Sequence, residues 1–92
     1  MKNLKLNSEL KVHQVVEILT RCPQLASLNV WVEDSGKMEV KHGHLRSFVM
    51  KASSKIDVEI GLCPLLLEAV LYKGVRSLEI TGSPELRKLS IA

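Results

Sequence analysis

Four sets of residues in this chain are of types that do chemistry. His42-Gly43-His44 sets two imidazoles in one tripeptide, which is half of a zinc site. Cys22 and Cys63 supply thiols, and His13 and Glu17 stand four residues apart, a spacing that puts both on one side of a helix. Glu39, Glu59 and Glu79 repeat a carboxylate at intervals of 20 residues. Each set falls short of a reaction. Two histidines without a nearby cysteine leave zinc short of its four ligands, so the tripeptide reads as a turn with exposed imidazoles. His13 has no second histidine to act with and reads as surface. Carboxylates in a flat column do not converge on one ion as a calcium site requires, so the glutamates read as a solvated ladder. The sequence also lacks a Gly-x-Ser-x-Gly elbow, a phosphate-binding glycine loop and a His-Glu-x-x-His helix. The expectation is a chain that is not an enzyme and uses no metal or cofactor.

The glutamates recur because the chain recurs. Met1-Leu4-Leu6, Leu25-Leu28-Val30, Leu45-Phe48-Met50, Leu66-Ala69-Leu71 and Leu86-Leu89-Ile91 share the pattern apolar-x-x-apolar-x-apolar, and from Leu25 the steps are 20, 21 and 20 residues. A second series is interleaved with the first: Met38-Glu39-Val40, Val58-Glu59-Ile60 and Leu78-Glu79-Ile80. One series reads as outgoing strands and the other as the strands that return. Cys22-Pro23, Cys63-Pro64 and Ser83-Pro84 each put proline just ahead of an outgoing strand, where its missing N–H costs no ladder bond. Residues 8–22 differ, because Leu10, Val15, Ile18, Leu19 and Cys22 form a helical stripe. Ser8 is the expected N-cap and Pro23 the stop. Alternation along the strands sets Leu28, Phe48, Ala69 and Leu89 in one inward column. No coil of this kind buries its apolar face alone, so the coils must stack. The expected fold is therefore α/β, a short solenoid of parallel strands with one N-terminal helix and mostly strand–strand coils of about 20 residues.

Bulk composition agrees. With 92 residues the chain makes one small domain, 1–92, either whole or as a piece of a longer repeat protein. Hydrophobic residues are 46% and charged residues 25%, as in a globular chain, while aromatics are only 3%, so the core must be aliphatic. No apolar run approaches the ~18 residues of a membrane span, and the N-terminal residues lack the apolar segment of a signal peptide. Two cysteines without such a signal read as free thiols in a reducing compartment. The expected location is the cytoplasm or the nucleus.

What remains is recognition. Stacking would align the outward residues in columns: Asn29, Val49, Val70 and Ser90; Trp31, Lys51 and Tyr72, ending at Ala92; and Ala26, Arg46, Leu67 and Arg87. Trp, Tyr and Arg dominate measured interface energies. Trp31, Arg46, Val49, Lys51, Val70, Tyr72 and Arg87 are thus the expected partner-binding residues. The last segment has no polar cap, so the edge formed by Leu86, Leu89 and Ile91 is an expected site of self-association into a homodimer. Nucleic-acid binding through Lys2, Lys5, Arg46, Lys51, Arg87 and Lys88 is the weakest reading, because the net charge is only +3.

The segments ILTRCPQLASLNV and HLRSFVMKASSKIDVEIGLCPLLLEAVLYKGVRSLEITGSPELRKLSI resemble the leucine-rich-repeat region of plant F-box/LRR proteins. The first matches that family's helix followed by a Cys-Pro-x-Leu-x-x-Leu-x-apolar strand. The resemblance implies a leucine-rich-repeat domain that holds a protein target for ubiquitin ligase substrate recognition inside the cell. Residues 8–22 are too few to be the family's F-box, so the resemblance implies the target-binding part rather than the part that docks on the ligase.

Overall fold

The computed structural model describes residues 3–91. Met1, Lys2 and Ala92, which figure in the repeat pattern, the basic set and the Trp31 column, lie outside the described residues. In chain order the elements are β1 (Asn3–Leu10), α1 (Val12–Arg21), β2 (Ser27–Val32), β3 (Gly36–Val40), β4 (Ser47–Leu62), β5 (Glu68–Gly82) and β6 (Lys88–Ile91). They form one open, parallel sheet in the order β1-β2-β4-β5-β6, with β3 paired to β4 off that path.

The length of β4 shows how the sheet is shaped. Sixteen residues of straight strand would reach about 53 Å, yet the molecule is 28 Å in its longest dimension. The strand must therefore bend back on itself. Its first half pairs with β2 (Ser27↔Ser47 to Val32↔Ala52) and its second half with β3 (Gly36↔Ile56 to Val40↔Ile60). The 15-residue β5 follows β4 through the same bend, where the register shifts between Ala52 and Asp57. The result is two parallel layers with the apolar residues between them.

Alternation decides which residues go inside. Leu28, Val30 and Val32 of β2 and Phe48, Met50 and Ala52 of β4 face the returning residues Met38, Val40, Ile56, Val58 and Ile60, and all are buried. Leu28, Phe48, Ala69 and Leu89 are successive register partners, as the spacing requires. Ala69 beside Phe48 offsets the bulk of that ring in a close-packed column. Glu39, Glu59 and Glu79 are likewise successive partners on the returning side. Gly74 sits at the bend of β5, where a Cβ would lie 2.4 Å from the Ser54 backbone oxygen. Only glycine lets the two chains approach so closely.

The start of the helix corrects the sequence expectation. Ser8 is not the cap: β1 continues to Leu10, and Lys11 is the N-cap residue. The strand wins because Glu9 and Leu10 pair with Trp31 and Val32. The helix finds its acceptors elsewhere. The Val12 N–H donates to the Asp34 carboxylate at 3.1 Å, and the Lys11 N–H to the Gln14 side-chain oxygen at 2.8 Å. These acceptors satisfy two of the donors that a helix start leaves open. Val15 and Leu19 then seat the helix on the core, with Val12, Ile18 and Cys22 partly buried beside them. None of the described helices is long and apolar enough to cross a membrane.

Candidate functional site

The outward residues of the first layer stand in rows across the strands. One row is Glu9, Trp31, Lys51 and Tyr72; the next is Lys5, Asn29, Val49, Val70 and Ser90. A third is made by main-chain bonds at the strand starts: Arg46 N–H to Ala26 O (2.7 Å), Leu67 N–H to Arg46 O (2.8 Å) and Arg87 N–H to Leu67 O (2.9 Å). All seven residues expected to bind a partner therefore fall in three rows of one layer, with Ser27, Ser47, Glu68 and Lys88 between the last two rows. Their exposure is uneven. Arg46, Tyr72 and Arg87 are exposed, and Trp31, Val49 and Lys51 are half-buried. Val70 is only 8% exposed, which corrects its reading as an exposed valine. It lies between Val49 and Ser90 in the row and supports the surface rather than presenting itself.

Lys51 lies over the Trp31 ring, its ammonium 4.4 Å from the centroid. The negative face of the indole attracts the cation. The Trp31 Nε1–H is enclosed and has no acceptor among the described residues. Glu9 closes the row on the other side. It stands beside Glu33, and the interaction of the two carboxyls raises the Glu9 pKa and lowers that of Glu33, with Lys11 adding to the fall. Lys11 Nζ is 3.3 Å from Glu33. The spacing pattern missed Glu9, because β1 carries a register shift between Lys5 and Glu9 that simple counting does not reveal.

The returning layer is more fully paired. Lys37 meets Glu59 at 3.0 Å and Lys41 meets Glu39 at 2.7 Å, so lysines interleave the glutamate ladder. Hydrogen bonding to these glutamates raises both lysines, and Lys41 lowers Glu39. Asp57 accepts from Arg76 and, at 2.7 Å, from the Ser77 hydroxyl, and these bonds hold its pKa at about 2.

The corner differs from expectation at His42. This imidazole is 6% exposed rather than free in solvent. Its Nδ1 accepts from the His44 N–H (3.1 Å), so its Nε2 carries the proton and donates to the Cys22 carbonyl (2.7 Å). A structural bond thus replaces the exposed imidazole, while His44 stays exposed. Cys22 and Cys63 are free thiols; Cys63 is buried, which raises its pKa. Among the described residues no group of three or more His, Cys, Asp or Glu could hold a metal ion.

At the sheet's last edge Leu86 is half-buried, whereas Leu89 and Ile91 are 47% and 55% exposed. Leu89 and Ile91 share an open cleft of about 330 Å³ with Val75, Leu78 and Ile80. No protein-family model, curated protein or solved structure matches this chain.

Proposed function

We propose that this chain is a non-catalytic protein-interaction module. In this reading it is a short leucine-rich-repeat solenoid that holds a protein target on its outward layer, in the manner of the target-binding repeats of an F-box-type ubiquitin ligase subunit. The observation that carries the reading is the unbroken row Trp31–Lys51–Tyr72 on one flat face, with Arg46 and Arg87 at the strand starts of the same layer. Aromatic and arginine side chains on a rigid sheet are what interfaces use as anchors. Both carboxylate-rich groups, on the returning layer and at Glu9–Glu33, lie on open surface rather than across a cleft, which favours binding over catalysis. The double variant W31A/Y72A tests this. With its fold intact by circular dichroism, it is expected to weaken target binding at least ~30-fold, the effect of losing one or two interface anchors. Unchanged affinity would overturn the face.

A second reading is self-association through the edge at Leu86, Leu89 and Ile91. It is favoured by the apolar cleft there and by an outer strand edge with no partner among the described residues. Sedimentation at low micromolar concentration tests it. A dimer that Ile91→Lys dissolves would support it, and a monomer would sink it.

A further inference from the structure

The two layers differ in how their charges are matched. On the returning layer Lys37 is engaged with Glu59, Lys41 with Glu39 and Arg76 with Asp57, while Lys55 at the bend makes no ion pair among the described residues. On the outward layer Lys88 meets Glu68 at 3.7 Å, but Lys5, Arg46, Lys51 and Arg87 make no ion pair among the described residues. These five cations share the face with three carboxylates, Glu9, Glu33 and Glu68, of which Glu33 is held by Lys11 and Glu68 by Lys88. Four cations of the binding face are thus left without an ion-pair partner among the described residues.

One place on it is shaped to take an acid. A depression of about 230 Å³ is lined by Gln24, Ala26, His44, Arg46 and Leu65. An amide, an imidazole and a guanidinium all border it, and each can donate to an oxyanion. Their supports are fixed. The Arg46 main chain is bonded on both sides, to Ala26 and to Leu67 and Glu68. His44 is tied by its N–H to His42, which is itself anchored on Cys22. The buried imidazole at this corner therefore positions the exposed one. Ala26 immediately precedes β2 and Trp31 follows Ala26 by five residues of extended chain, so the depression lies about 16 Å from the indole. An extended segment of about six residues spans both.

We propose that the outward layer takes an acidic protein segment, with one carboxylate seated among Gln24, His44 and Arg46 and the neighbouring residues lying toward Trp31. This deepens the protein-binding reading and rests on it. A polyphosphate chain, charged at every unit, meets the repulsion of Glu9 and Glu68 on the same face along its whole length, whereas a protein segment needs only the one carboxylate seated in the depression.

The test uses the full chain, labelled for NMR, with three probes: hexaglutamate, hexaglutamine and a random single-stranded 12-nucleotide DNA. Hexaglutamate is expected to move the Arg46 amide and the Trp31 indole signals saturably. Its affinity should fall at least fivefold in R46Q and fall further in 0.5 M salt, while K37Q, on the opposite layer, leaves it unchanged. Arg46 is exposed, so R46Q should fold, and its spectrum reports that directly. Equal shifts from hexaglutamine would overturn the acid preference and leave the contact face standing. Tighter binding of the oligonucleotide, at the same signals, would overturn it in favour of nucleic acid. Silence at Arg46 and Trp31 with all three probes would overturn both this inference and the face.

Discussion

Lys51 and Trp31 are opposite one another in the β2–β4 ladder, and the lysine ammonium rests 4.4 Å from the centre of the indole. The ring is thus held from below by the strand and covered from above by a cation.

Removing that cover should be visible, because Trp31 is the sole tryptophan. K51A is expected to increase acrylamide quenching of Trp31 emission and to cost about 0.5–1 kcal/mol, the range for an exposed cation–π contact. Unchanged quenching would mean that the lysine does not cover the ring in solution.

Gly74 makes the bend of β5 possible. In G74A the new Cβ would meet the Ser54 backbone oxygen, which cannot rotate aside as a side chain does. A cost of about 1–3 kcal/mol is expected from such overpacking. For a domain of this size that lowers Tm by roughly 5–20 °C in a thermal melt. A Tm within a degree of the parent chain would argue against the close approach.

His42 joins two successive corners. Substitution by alanine leaves the Cys22 carbonyl and the His44 N–H without their partners. Fully buried groups stranded in this way cost about 1–3 kcal/mol, and these two are part-buried, so a loss of about 1 kcal/mol is expected. H42A should therefore lower the urea midpoint with little change in slope. If the midpoint holds, the corner is satisfied by water instead.

Asp57 links stability to acidity. Its pKa is depressed to about 2 by Arg76 first and Ser77 second. A depressed carboxylate adds stability above its unfolded value of ~3.9, and that addition is lost as pH falls through the folded value. The stability difference between the parent chain and D57N should hold steady from pH 7 to 5 and shrink between about pH 4 and 2. Urea titrations across that range would show it, and a difference independent of pH would remove Arg76–Asp57 as its source.

The columns were legible in the sequence because two periods reinforce one another. The ~20-residue step fixes which residues meet, and the two-residue alternation fixes which way they point. Leu28, Phe48 and Ala69 needed no other information, nor did Glu39, Glu59 and Glu79, whereas Leu89 falls in register but is 47% exposed at the sheet's edge. Ser8 misled because a local cap signal competed with strand pairing to Trp31 and Val32, and the Val12 N–H found its acceptor 22 residues away at Asp34. His42 misled for a similar reason: its burial comes from the neighbouring corner, and the tripeptide around it says nothing of that. Val70 was placed in the right row, but its shielding depends on the size of its neighbours. The depression at Gln24, His44 and Arg46 draws on two turns of chain and leaves no linear motif.

Bending β4 and β5 through the same corner also sets the mechanics of the molecule. Each strand is tied to a partner about twenty residues further along the chain, in both layers. Tension on the two ends would therefore not load one distant clasp. It would strip the sheet from its edge like pages from a pad, each release freeing about 70 Å of slack polypeptide.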